Sequence, residues 1–131
     1  MAKDLAIQSG LRPRDAADFA ARVEYTSGLP DRLAQIRWAL EQLRQRPHDT
    51  GLFAETRNSV QDLAGTAASF GLQELSEIGV RLEQALLVWR GRGGLAAAWA
   101  PIGGEDAALA EWEDRVTGSA AAPWRMVGTS H

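Results

Sequence analysis

The spacing of large apolar residues between positions 29 and 89 constrains this chain more than any other feature. These residues recur mostly at steps of three and four, which places them on one face of an α-helix. Three stripes follow one another: Leu29, Leu33, Ile36, Leu40 and Leu43; then Phe53, Thr56, Val60, Leu63, Ala67 and Phe70; then Leu72, Leu75, Ile78, Leu82, Ala85, Leu86 and Trp89. The chain is therefore predicted to be all-α.

Short breaks separate these helices. Pro30 and Asp31 are typical of a helix start, the proline because it fixes φ and the aspartate because it complements the positive end of the helix dipole. Pro47 ends that helix, Asp49 or Thr50 caps the next, and glycines follow the other two stripes. Because short connections make neighbouring helices antiparallel, we expect an up-and-down antiparallel four-helix bundle.

The two ends of the chain are harder to assign. Residues 1–12 show little periodicity and are predicted to form a flexible N-terminal segment, followed by a short helix to about Tyr25 that Ser27 and Gly28 break. The pattern from Glu105 to Val116 predicts an extra C-terminal helical segment. Residues 118–131 are expected to be an irregular tail. The bundle domain is thus placed at residues 13–117, with its fourth helix supplied by either end.

Composition excludes several classes of function. The chain has no cysteine, which excludes disulfides, thiolate zinc sites and cysteine nucleophiles. Its net charge of -3 gives no basic footprint for nucleic acid. The two histidines, His48 and His131, lie far apart, so neither a metal site nor any other cofactor is expected. No titratable constellation suggests an enzyme, and no catalytic residue is assigned.

Two further features bear on location. No apolar run reaches the ~18–20 residues that a membrane span needs. The N-terminal sequence lacks the long apolar segment of a signal peptide. We therefore expect a cytoplasmic protein with no membrane partner.

The face of the second stripe's helix that is turned away from its core has an unusual composition. Gln61 lies two residues from Leu63 and so about 200° around the helix, which directs it to solvent. Its neighbours on the outer face are Arg57, Asn58, Ala64, Gly65 and Ala68. A mid-helix glycine costs about 1 kcal/mol relative to alanine. Either these small residues leave room for a partner, or Gly65 and Ala68 pack against a neighbouring helix.

The segment from Gln61 to Ser76 resembles the signature of histidine-phosphotransfer (HPt) domains of bacterial two-component signalling. In that family a histidine is followed by Lys or a small residue at three positions, Gly at four, Ser or Thr at five and Gly at ten. The corresponding residues here are Ala64, Gly65, Thr66 and Gly71, with Gln61 at the histidine position. The resemblance covers about Pro30 to Trp89. It implies a helical bundle that docks receiver domains, with Gly65 leaving room for the partner's aspartate site.

The sequence departs from the family pattern at Gln61, the position whose side chain would accept the phosphoryl group. The lone pair of the Gln61 amide nitrogen is delocalised into the carbonyl, so it is not a useful nucleophile, although the amide still donates and accepts hydrogen bonds. Ala64 replaces a lysine that could stabilise phosphate. His48 lies in the loop before the helix and is a poor substitute acceptor. Arg57, one turn before Gln61, is the best candidate to contact an acidic receiver surface.

Three hypotheses follow. The first is an HPt-like protein without a phosphoacceptor that binds a response-regulator receiver domain or a histidine kinase and modulates a phosphorelay. The second is a genuine phosphotransfer protein that carries a His-to-Gln change at position 61. The third is a helical scaffold or oligomerisation module that has no signalling partner.

Overall fold

The computed structural model describes the backbone of residues 13–129 and the side chains of residues 16–117. Four α-helices account for most of this range: α1 (Pro13–Gln45), α2 (Thr50–Ser69), α3 (Gln73–Gly91) and α4 (Ala100–Thr129). A short 3₁₀ turn, Ala96–Ala98, joins α3 to α4. No strand occurs between residues 13 and 129, so the predicted all-α fold is confirmed.

The helices form an antiparallel bundle in which each contacts its neighbours in chain order. Helix α2 packs between α1 and α3, and α4 closes the bundle by packing against both α3 and α1. Ion pairs at the α3–α4 contact show the antiparallel direction, because Arg81 pairs with Glu105 and Glu74 pairs with Arg115. The C-terminal helix is therefore the fourth member of the bundle and not an extra segment.

The three apolar stripes meet at the centre of this bundle. Residues from all four helices are buried there: Leu29, Leu33, Ile36, Leu40, Leu43, Phe53, Val60, Leu63, Ala67, Leu75, Ile78, Leu82, Leu86, Trp89, Ile102 and Leu109. The buried hydroxyl of Thr56 donates to the carbonyl oxygen of Leu52 at 2.7 Å, which satisfies it inside its own helix. Arg37 of α1 forms ion pairs with Asp106 and Glu113 of α4, each with a nitrogen–oxygen distance of 3.1 Å.

The predicted break at Ser27 and Gly28 is wrong, because α1 is one helix with Pro30 inside it. The Ser27 hydroxyl donates to the Val23 carbonyl one turn back and so stays within the helical pattern. Tertiary contacts hold the segment before the proline. Tyr25 stacks on Phe70 at the end of α2, with 4.6 Å between ring centroids, and these contacts outweigh the local preference for a break.

Helix α4 also differs from prediction at both ends. It starts at Ala100, with Pro101 in its first turn, where the missing N–H of proline is not needed. It continues to Thr129, so the irregular tail expected from residue 118 is wrong for residues 118–129. The run Ala120–Ala122 favours this continuation, since alanine has the highest helix propensity, whereas Gly118 and Pro123 in the same stretch oppose it. The predicted flexible segment 1–12 lies outside the described residues.

Candidate functional site

Helix α2 places Gln61 on the outside of the bundle. Asp49 caps the helix by accepting a hydrogen bond from the Leu52 N–H at 3.0 Å, as the sequence allowed. Farther along, Val60 and Leu63 are fully buried on the core side. Gln61 is exposed, where the spacing from Leu63 predicts it, and Asn58 beside it is also exposed.

Gln61 and Arg57 converge on one carboxylate of the neighbouring helix. The Arg57 Nε donates to Glu83 Oε2 at 3.2 Å, and the Gln61 Nε2 donates to the same oxygen. The Glu83 side chain is 23% exposed, so it is partly sheltered between α2 and α3. Arg57 is therefore not a free surface cation but one member of a three-residue cluster, Arg57–Glu83–Gln61.

Sequence reasoning missed Glu83. The available sign was its position next to Leu82, at the border of the buried stripe of α3, where a carboxylate is expected to find a partner. Which partner it finds depends on the register between α2 and α3, and the sequence of α3 does not contain that information.

The close approach of α2 and α3 occurs at Ala64, not at Gly65 or Ala68. A Cβ atom built on Gly79 would lie only 2.9 Å from the Ala64 Cβ. Ser76 strengthens the same contact by donating to the Ala64 carbonyl at 2.8 Å. Ala64 is therefore half-buried, and its predicted place on the open face is corrected to the edge of that face.

Gly65 and Ala68 remain exposed, and no atom of another helix lies within 4 Å of the place where a Gly65 side chain would start. The alternative that Gly65 and Ala68 pack against a neighbouring helix is therefore wrong. Their small size leaves an open, shallow surface beside Gln61.

Exposed apolar residues on α3 border the cluster. Val80 is 44% exposed and Leu87 is 42% exposed. Both lie one helical turn from Glu83, on either side of it, so they share its face of α3. Neither residue belongs to the core stripe of α3, and exposed apolar residues outside a core stripe can indicate a contact surface. We refer to Arg57, Asn58, Gln61, Ala64, Gly65, Ala68, Val80, Glu83 and Leu87 as the α2–α3 face.

The other candidate residues lie elsewhere. His48 is exposed in the loop before α2, about 20 Å from Gln61 along the helix axis at 1.5 Å per residue. Asp62 forms an ion pair with Arg32 of α1. Within the described residues, no group of three or more His, Asp or Glu side chains is arranged to hold a metal ion.

Comparison with known proteins gives one match. A family model described as Hpt domain matches residues 20–122, which is most of the chain. No curated protein and no solved structure was found to match. Among the described residues, no helix is both long enough and apolar enough to span a membrane.

Proposed function

Because this chain belongs to the Hpt domain family, a family of phosphotransfer and signalling modules in two-component phosphorelays, we propose that it is a docking member without a phosphoacceptor. In this proposal Gln61 stands at the phosphohistidine position. The protein binds a response-regulator receiver domain or a histidine kinase through the α2–α3 face and thereby modulates the phosphorelay.

The observation that supports this most strongly is the exposure of Gln61 on an open part of α2. Gly65 and Ala68 leave its surroundings shallow, so the surface of a partner can come close to the Gln61 side chain. A phosphotransfer surface needs this access, because the two reacting groups must come within about 3–3.5 Å of each other.

The side chain at this point cannot perform the transfer. A phosphoacceptor needs a nucleophilic lone pair, as a nitrogen of neutral imidazole has, whereas the lone pair of the Gln61 amide nitrogen is delocalised into the carbonyl. The amide keeps its donor and acceptor groups. Binding and phosphotransfer are thereby separated, and the protein acts as a binding module with no catalysis of its own.

The rest of the α2–α3 face fits a protein partner. Val80 and Leu87 supply apolar area, and small residues at 65 and 68 allow close approach. Arg57, whose side chain is 40% exposed and paired with Glu83, provides polar groups at the border. Apolar contacts with a polar border are typical of protein–protein interfaces.

A second candidate is a working phosphotransfer protein whose histidine has been replaced by glutamine. It is favoured by the same exposure of position 61, which an imidazole would share. A genomic copy of the gene that encodes histidine at position 61 would establish this alternative.

The third candidate, a scaffold without signalling partners, makes the opposite prediction for the α2–α3 face. It requires that bulky or charged substitutions there leave function unchanged as long as the protein folds.

Binding by a Gly65→Arg variant tests the proposal. Receiver domains and histidine kinases from the same genome are titrated into the native protein by calorimetry, and at least one is expected to bind at micromolar concentration. Gly65→Arg fills the open space beside Gln61 and is expected to weaken that binding at least about tenfold, which corresponds to about 1.4 kcal/mol.

The matched control is Gly104→Arg on α4, the helix diagonal to α2. Gly104 is also exposed and also has open space around it, so the variant carries the same added side chain on another face. Circular dichroism verifies that both variants are folded. The proposal is contradicted if no receiver or kinase binds, or if folded Gly65→Arg binds as tightly as Gly104→Arg.

A further inference from the structure

We infer that Glu83 is a positioning residue that determines which end of the Gln61 amide a partner meets. By holding the amide nitrogen, Glu83 leaves the carbonyl oxygen Oε1 available at the surface. The α2–α3 face then offers a hydrogen-bond acceptor at position 61, and the partner presents a donor there, such as a lysine ammonium. This inference rests on the proposed docking function and specifies its chemistry.

The chemistry of the Glu83 contact determines the orientation of the Gln61 amide. An ionised carboxylate only accepts hydrogen bonds, whereas a glutamine amide has two donors on nitrogen and an acceptor on oxygen. The Gln61 group that meets Glu83 Oε2 must therefore be Nε2, as the structure has it. The opposite amide orientation would set the carbonyl oxygen against a carboxylate oxygen with no proton between them.

The Glu83 carboxylate is itself held in place. Arg57 donates to the same Glu83 oxygen, and the Glu83 side chain is mostly sheltered between α2 and α3. Hydrogen bonds that involve an ionised group are roughly twice as strong as those between neutral groups. Glu83 is thus held by Arg57 and in turn holds Gln61.

The Gln61 carbonyl oxygen is the group of this cluster that stays available to a partner. The positive charge of Arg57 is engaged by Glu83, so the cluster presents little net charge. Gln61 is exposed, and no hydrogen bond from the described residues reaches its Oε1. A donor on the partner complements this oxygen, whereas a carboxylate placed opposite it would be repelled.

The positioning role is tested first without a partner, by NMR of the Gln61 side-chain amide in the full-length protein. The signals are assigned from their loss in Gln61→Ala. In the native protein, one Nε2 proton is expected to exchange with water severalfold more slowly than in Glu83→Ala. The matched control is Glu111→Ala, which removes a carboxylate from an exposed position of α4. Equal exchange rates in native protein and Glu83→Ala overturn the inference.

The consequence for docking is tested with the receiver or kinase identified by calorimetry. Loss of one hydrogen bond predicts that Glu83→Ala binds roughly three- to tenfold more weakly than native protein. Because Glu83 acts through Gln61, the same substitution is expected to have no further effect in Gln61→Ala. Glu111→Ala is expected to bind as native.

The two proposals fail differently. If native protein binds no partner, the docking function fails, while the NMR comparison still decides the role of Glu83. If native protein binds a partner and Glu83→Ala binds equally well, the inference is overturned and the docking function stands. A loss that persists undiminished in Gln61→Ala also overturns the inference, because Glu83 would then act without Gln61.

Discussion

Gly79 and Gly65 lie on adjacent helices but have opposite surroundings. Gly79 faces α2 so closely that a Cβ atom would meet the Ala64 Cβ at 2.9 Å and the Ala64 backbone nitrogen at 3.2 Å. A Cβ atom built on Gly65 would meet no atom of another helix within 4 Å. The first glycine therefore permits the contact between α2 and α3, whereas the second is a cost to helix stability that packing does not require.

Alanine substitutions at these two glycines are expected to change stability in opposite directions. Gly79→Ala forces α2 and α3 apart and is predicted to lower the free energy of unfolding by about 1–3 kcal/mol. Gly65→Ala is predicted to raise it by about 0.5–1 kcal/mol, since alanine is the better helix former and meets no obstacle. Urea denaturation followed by circular dichroism measures both. A stabilised Gly79→Ala protein would contradict the described helix contact.

The outward position of Gln61 could be predicted from its offset to Leu63, because one helix alone determines it. The partners of Arg57 and Ala64 could not be predicted in this way. Glu83 and Gly79 belong to another helix, and their pairing with α2 depends on how far the two helices slide and rotate against each other. Residue spacing within one helix carries no information on that arrangement.

At the scale of elements, α1 shows how tertiary contacts overrule local sequence. Pro30 lacks the N–H that would bond to the Thr26 carbonyl, yet the helix continues through it. The segment before the proline is held by buried Leu29 and by the Tyr25–Phe70 stack, and the segment after it is held by buried Leu33. The apolar stripes predicted α2 and α3 well, but breaks inferred from Gly, Ser and Pro were wrong for α1.

Replacement of Pro30 by alanine is therefore expected to stabilise the protein. Alanine restores the missing helical hydrogen bond and removes the steric conflict, with a predicted gain of up to about 3 kcal/mol. Pro101→Ala is the matched control, because Pro101 lies in the first turn of α4, where the N–H has no helical partner. Thermal unfolding by circular dichroism compares the two. A lower melting temperature for Pro30→Ala than for Pro101→Ala would show that α1 needs the proline.

For the whole molecule, the sequence predicted the architecture because three successive stripes with short connections admit few arrangements other than an antiparallel bundle. It left open which end supplies the fourth helix. The answer depends on contacts between distant segments, such as that of Arg37 with Asp106 and Glu113. The family membership agrees with this architecture, while the proposed loss of phosphotransfer depends on one side chain, Gln61.

Phosphoryl transfer to native protein and to Gln61→His tests that central claim most directly. Both proteins are mixed with a phosphorylated receiver domain or an autophosphorylated kinase, and the labelled phosphoryl group is followed. Label is expected on Gln61→His only, because the exposed position then carries an imidazole with a free lone pair. Label on the native protein would contradict the account, since another residue would be the acceptor, and label on neither protein would show that the α2–α3 face is not a phosphotransfer surface.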